Sequence, residues 1–198
     1  MPELSAALAL RLLVCYAIGS IPFAVVAMRG TGIDILKAGS GNPGFNNVLR
    51  FSKWRAALTL AGDAGKGLAA IWLFSRPADP LAVAWLYGLA AVLGHCYSPW
   101  LKFQGGKGIA TAAGTMLYLY PVWGALAFVL YGVLRLIGKK RQWTEAGAVA
   151  SLSTCALFVI LLAVYEPREV AVCGGVLLAF IAWRHKKNFQ VLLGTATR

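Results

Sequence analysis

The chain alternates long apolar runs with short polar connectors. The apolar runs cover residues 4–27, 56–74, 80–97, 109–120, 122–138, 145–165 and 169–184. A helix needs about 20 mostly apolar residues to cross the hydrocarbon layer of a bilayer. The pattern therefore predicts an all-α fold, a polytopic membrane bundle of about seven transmembrane helices. The run 146–165 carries no charge along its length. The fourth run is short and stops before Pro121, which leaves three forms open: tilted, half-embedded, or continuous with its neighbour. Pro77 and Pro80 mark the turn between the second and third spans. No repeat, low-complexity stretch or long linker interrupts the pattern, so residues 1–198 are expected to form a single integral-membrane domain.

Composition agrees with that reading. Hydrophobic residues make up 59% of the chain and charged residues 13%, with mean hydropathy +0.69. These values exclude a disordered chain and an ordinary soluble domain. The net charge of +12 admits nucleic acid, anionic lipid or an anionic substrate as partner. Hydropathy decides against nucleic acid, because little soluble surface is left to present a binding face. The first apolar run lacks a basic leader and a small-residue cleavage site, so it reads as a retained helix. Cys15, Cys96, Cys155 and Cys173 show no CxxC spacing and read as packing residues, with no metal site.

The distribution of lysine and arginine then sets a topology. With the N-terminus outside, the inner segments collect Arg29, Lys37, Arg50, Lys53, Arg55, Lys102, Lys107, Lys139, Lys140, Arg141, Arg184, Lys186, Lys187 and Arg198. The outer loops keep only Arg76 and Arg168. Seven spans with the N-terminus out and the C-terminus in satisfy the positive-inside rule. Both glycine-rich segments of the chain then face the cytoplasm.

The first of these is Gly39-Ser40-Gly41-Asn42-Pro43-Gly44-Phe45-Asn46-Asn47-Val48-Leu49-Arg50. It spells GxGxxG, but a dinucleotide fingerprint needs a preceding strand and a βαβ unit, and neither fits between two membrane helices. A flexible cytoplasmic loop is the plain reading. Side chains of Ser40, Asn42, Asn46 and Asn47, a helix start near Asn46 and Arg50 one turn later make a phosphate seat the functional one.

The second segment runs from His95 through Pro99 and Lys102 to Gly105-Gly106-Lys107-Gly108, just before the apolar run that opens at Ile109. Gly108 stands where a Walker motif needs Ser or Thr, so that motif is excluded. A backbone nest at Gly105, Gly106 and Gly108, with Lys107 as a point charge above it, remains. Lys102 reads as a positive-inside anchor. His95, at the end of the third span, reads either as a packing residue or as a group able to take a proton from a hydroxyl.

Asp63 and Lys66 fall within the second span at i, i+3 spacing, and a structural pair is the simpler account. Arg11 lies in the first span, where snorkelling and an interhelical bond are both open. In the tail, His185 and Asn188 are three apart and would share a helix face, while the basic residues around them also suit a lipid anchor.

Taken together, these residues resemble a bacterial glycerol-3-phosphate acyltransferase of the acyl-phosphate-using PlsY type. The resemblance covers nearly the whole chain. It rests on Gly19-Ser20-Ile21-Pro22-Phe23, the loop from Ser40 to Arg50, and Asp63-Ala64-Gly65-Lys66-Gly67. It continues through Gly94-His95 to Thr111 and ends at His185-x-x-Asn188.

The resemblance implies transfer of an acyl group from acyl phosphate to the 1-hydroxyl of sn-glycerol 3-phosphate, giving lysophosphatidate and inorganic phosphate. It implies no cofactor, coenzyme A, carrier protein or metal, and a multi-pass protein of the bacterial inner membrane with its site on the cytoplasmic side, expected as a monomer. It also implies a role for each candidate. The loop of Gly39, Ser40, Gly41, Asn42 and Gly44 and the nest of Gly105, Gly106 and Gly108 would bind phosphate, with Asn46 a polar contact beside them. Lys107 and Arg50 would neutralise charge, and Asn47, His185 and Asn188 would orient glycerol 3-phosphate. His95 would position the hydroxyl or take its proton, and a covalent role for Ser40 is the least favoured variant.

The sequence departs from the family pattern at Asn46, where Thr is usual, at Val191, where Arg is usual, and at Ala196, where an acid is usual. Val191 and Ala196 motivate an alternative, a family member that binds lipid phosphate or a partner without turnover. A small anion transporter is the third reading, and polar clusters at one membrane face rather than the midplane argue against it.

Overall fold

The computed structural model describes residues 5–195, so the departure at Ala196 lies outside the described residues. Every regular element among them is helical. The chain divides between Leu119 and Tyr120 into two compact units.

The first unit opens with α1 (Ala6–Ser20), capped by Ser5, whose hydroxyl accepts from the Leu8 amide at 3.2 Å. The first apolar run is not one helix. It breaks at Ile21–Pro22 and resumes as α2 (Phe23–Met28). Pro22 has no N–H to continue the ladder, and its ring disfavours helical geometry at the residue before it. After a loop holding the short α3 (Phe45–Val48), the long helix α4 spans Lys53–Phe74. Its N-cap is Ser52, and it begins three residues before the apolar run because Lys53 and Arg55 are polar but helix-forming. Helix α5 (Leu81–Cys96) follows, then a single 3₁₀ turn (Pro99–Leu101) and α6 (Ile109–Leu119).

The second unit holds α7 (Pro121–Lys140), α8 (Ala146–Tyr165), α9 (Arg168–Arg184) and α10 (Lys186–Leu192). Tyr120 interrupts the helix between α6 and α7, so the short fourth run does not continue into its neighbour. Trp123 stacks on Tyr120 with centroids 5.1 Å apart and meets Phe158 edge-on, which fixes the start of α7 against α8.

Polarity is distributed as lipid requires. Large apolar side chains such as Leu13, Trp72, Val129, Leu136 and Val164 are exposed. Asn47, Thr59, Asp63, Lys66, His95, Ser98, Thr111, Thr115 and His185 are buried. Intramembrane polar groups face inward because hydrocarbon cannot solvate them. Among the described residues, Ala6–Met28, Leu81–Leu101, Pro121–Lys140 and Ala146–Tyr165 are long and apolar enough to cross a membrane, and Ile109–Leu119 is a shorter apolar helix.

Reciprocal small residues draw the first unit together. A Cβ on Gly19 of α1 would strike the Ala91 carbonyl of α5, and one on Gly94 of α5 would strike the Tyr16 carbonyl of α1. Gly67 of α4 and Gly114 of α6 stand in the same relation to Thr111 and Ala64. With no hydrophobic driving force in lipid, such close backbone approach supplies the packing energy. Arg11 finds the interhelical partner left open by the sequence: its guanidinium donates to the Tyr87 hydroxyl at 3.5 Å.

Candidate active site

Helix α4 organises the polar end of the first unit. Its two inner cations cap the two halves of the broken first span. Lys66 donates to the Ile21 carbonyl at 2.9 Å, at the end of α1. Arg55 donates to the carbonyls of Ala27 and Arg29, at the end of α2. Cations at a helix C-terminus satisfy its orphan carbonyls and complement its dipole.

The loop of residues 29–52 folds back onto the start of α4 through Ala24, Met28, Ile35, Val48 and Ala56. Asn47 is its pin. This buried amide accepts from the Ser40 N–H at 2.9 Å and donates to the carbonyls of Ile35 at 3.1 Å and Ala38 at 3.0 Å. Both of its donors are thus committed to backbone. Gly39 has φ +60°, and a side chain there would collide with the Asn47 oxygen, so only glycine closes the turn. Ser40, Asn46 and Arg50 are exposed on this loop, while Gly41, Asn42 and Gly44 line its inner turn. The Arg50 stem lies beside Gly39.

The second loop is held by the end of α5. Tyr16 and Ser98 tie it to α1, the first through the Tyr97 carbonyl and the second through the Ser20 carbonyl at 2.6 Å. The Gly105 and Gly106 amides donate to the carbonyls of Cys96 at 3.0 Å and His95 at 3.2 Å. A Cβ on Gly106 would collide with His95 Nε2, 2.1 Å away. Gly108 takes φ +87° and leads into α6, and Lys107 between them is half-buried.

Several amides of the two expected nests are bonded within the protein. In the first loop the amides of Ser40, Gly41 and Gly44 go to Asn47, Ala38 and Asn42. In the second, Gly105 and Gly106 spend theirs on α5. Backbone donors seek a partner wherever they are shielded from water, and the protein supplies one in each case. The glycines therefore shape the loops, and Ser40, Arg50 and Lys107 are what the loops carry. Asn47 likewise bonds the backbone of its own loop through both amide protons.

His95 lies 7% exposed, with Nδ1 3.4 Å from Asp63 Oδ1, the same oxygen that pairs with Lys66 at 2.9 Å. Sequence reading took Asp63 and Lys66 as a structural pair and missed the link to His95. The signal was present in the two charges inside an apolar run, but their partner on another helix was not.

In the second unit, Asn188 lies on α10 and His185 is the N-cap of that helix. His185 joins α9 to α10, and its Nδ1 bonds the Ile181 carbonyl at 2.8 Å. Asn188, on α10, donates its side-chain amide to Glu145 just before α8 and its backbone N–H to the His185 carbonyl. Val191 lies on the same short helix.

A buried histidine–carboxylate pair beside a lysine-bearing glycine loop, at the polar end of an apolar bundle, defines a membrane enzyme site suited to anionic substrates. A family model described as glycerol-3-phosphate acyltransferase matches residues 9–195. Glycerol-3-phosphate acyltransferases of Burkholderia ambifaria and Aromatoleum aromaticum are each 39% identical. The first aligns over 91% of this chain and 85% of its own length, the second over 93% and 92%. A Rubrobacter xylanophilus enzyme of the same name is 39% identical over 93% of this chain and 90% of its own. Two crystal structures of PlsY, an integral membrane glycerol 3-phosphate acyltransferase, superpose over 98% of the chain at 30% identity. Its glycerol 3-phosphate form gives a TM-score of 0.84 over 96% of that protein, and its lysophosphatidic acid form 0.82 over 95%. The chain belongs to the glycerol-3-phosphate acyltransferase family.

Proposed function

We infer that the protein transfers an acyl group from an acyl phosphate to the 1-hydroxyl of sn-glycerol 3-phosphate, releasing lysophosphatidate and inorganic phosphate. The observation that carries this reading is that both polar loops have a footing on α4, the second through the side chain of His95 at the end of α5, on which that loop docks. The loop with Ser40 and Arg50 packs at the start of α4, near Arg55, and the loop of His95 and Lys107 reaches α4 at Asp63. Eight residues of helix separate those anchors, about 12 Å at 1.5 Å per residue. That spacing suits two anionic groups held on one surface.

Acyl phosphate is a mixed anhydride and needs no covalent activation by the protein. The substrate hydroxyl oxygen attacks the carbonyl carbon, the carbon–oxygen bond to phosphate breaks, and phosphate leaves with the electron pair. His95 positions the hydroxyl or takes its proton, and the donor's own phosphate is the other acceptor for it. Lys107 and Arg50 stabilise the charge that develops on the departing phosphate. Ser40 offers a hydroxyl contact. Gly39, Gly41, Asn42, Gly44, Gly105, Gly106 and Gly108 hold the loops in shape. The family resemblance gives Asn46, His185 and Asn188 a part in holding glycerol 3-phosphate. The protein is read as a monomer of the bacterial inner membrane, with seven crossings, its N-terminus out and its site on the cytoplasmic side. Residues 1–198 are read as one functional domain.

The test is phosphate release by the purified, detergent-solubilised protein given palmitoyl phosphate and glycerol 3-phosphate, with each substrate omitted in turn and the lipid product identified by mass. Release that needs both substrates, matched by lysophosphatidate, is the expected result. Folded protein without turnover moves the function to binding, with Val191 and Ala196 the first positions to restore. Uptake of glycerol 3-phosphate into sealed vesicles without acyl phosphate moves it to transport.

A further inference from the structure

The inner charges of α4 form a chain that starts at the break in the first span and ends in the second loop. Lys66 is bonded both to the Ile21 carbonyl and to Asp63, and its side chain and that of Asp63 are each 2% exposed. The shared Asp63 oxygen continues to His95 Nδ1 at 3.4 Å. The opposite edge of that ring meets Gly106, because a Cβ there would come within 2.1 Å of Nε2. The Gly106 amide itself is donated to the His95 carbonyl.

A carboxylate oxygen is an acceptor only, so Nδ1 must hold the ring proton for the contact to be favourable. In a neutral imidazole the lone pair then falls on Nε2, on the side of the loop that carries Lys107. Lys66 matters to this arrangement, since a lone carboxylate in an apolar bundle is costly and a paired one is not. The backbone break at Pro22 supplies the carbonyl that holds Lys66 in turn.

We propose that Asp63 is a positioning residue that fixes the ring of His95 with its proton on Nδ1 and its accepting nitrogen turned toward the glycine–lysine loop, and that Lys66 holds Asp63 in place. The inference rests on the reading of His95 as the group beside the reacting hydroxyl. A misplaced ring proton would leave that hydroxyl facing a donor instead of an acceptor.

The test uses the full chain in detergent with histidine labelled in ¹³C and ¹⁵N. The chain has two histidines, and the signal lost in His95→Gln identifies His95. His185, bonded through Nδ1 to the Ile181 carbonyl, serves as the internal reference. The wild-type His95 signal is expected to show a neutral ring protonated at Nδ1. Asp63→Asn is expected to shift it toward the Nε2-protonated form while His185 stays unchanged. The same variant should lower kcat about 100-fold, within the range a general base contributes. Its KM for glycerol 3-phosphate should change less than about threefold, since substrate binding is untouched.

Asp63→Asn leaves Lys66 without its carboxylate, so Asp63→Asn/Lys66→Met removes both charges together and should show the same fall in kcat. Three results overturn the proposal: a wild-type His95 ring with its proton on Nε2, a ring signal unmoved by Asp63→Asn, or wild-type kcat in the double variant. A purely structural role would lower the yield of folded protein and leave both ring signal and kcat in place. If the wild type turns over no acyl phosphate, the acyltransfer reading fails, and the ring spectrum still decides the Asp63–His95 inference.

Discussion

The two glycine-rich loops look alike in sequence and are held in opposite ways. In the loop of residues 39–50 a side chain serves the backbone: Asn47 reaches in and bonds three main-chain groups. In the loop after α5 the backbone serves a side chain: Gly105 and Gly106 dock on the carbonyls of α5, and Gly106 leaves room for the His95 ring where any side chain would collide with it. The first loop depends on one buried amide. The second depends on the absence of side chains, and its tightest position is next to its chemistry. Glycine abundance alone does not tell an anion nest from a scaffold; the partners of the amides do.

This contrast can be broken most sharply at Gly106. Gly106→Ala drives a methyl group into His95 Nε2 and should lower turnover by about 10²–10⁴-fold, the contribution of a general base, while the protein stays in the membrane fraction. A wild-type rate in the phosphate-release assay would show that the loop does not guide the ring. Lys107→Ala and Arg50→Ala come next. Each should remove most activity, about 10²-fold or more for a charge aimed at the departing phosphate, with unchanged thermal unfolding. Near wild-type rates from both would end their assignment to phosphate.

Asn47→Ala tests the other half of the comparison. Three backbone groups lose their partner, each costing about 1–3 kcal/mol where it stays shielded from water. The expected result is a lower unfolding temperature and faster proteolysis between Gly39 and Arg50. A loop as resistant as wild type would mean that Asn47 is not its pin. The smallest effect belongs to Lys102, exposed at φ +51° on the turn before the second loop. Lys102→Asn keeps a residue that tolerates that backbone and should change the rate less than about twofold. A large fall would bring Lys102 into the site as a charge rather than an anchor.

Much of this was legible in the chain. The apolar runs match the helices within a few residues, because hydropathy and helical period are local properties. Ser40, His95, Arg50 and Lys107 stood out as polar groups among glycines between spans. The break at Pro22 was visible as a residue but not as a consequence, since a proline alone does not say who satisfies the freed carbonyl. The spacing of His185 and Asn188 suits one helix, but it does not reveal the turn that makes His185 both the end of α9 and the N-cap of α10. The destinations of the Gly105 and Gly106 amides were not legible either, because an N–H carries no mark of its acceptor.

The sequence by itself determined the membrane class of the protein and the extent of its helices. Each of these follows from composition within a short window. Only the tertiary structure decided that Asp63 belongs to His95, that Lys66 closes the broken first span, and that Asn47 serves its own loop. The first two reach from one helix to another, and their register is set where Gly19, Gly67, Gly94 and Gly114 let backbones touch. A contact of that kind depends on how two helices cross, which no single stretch of chain encodes.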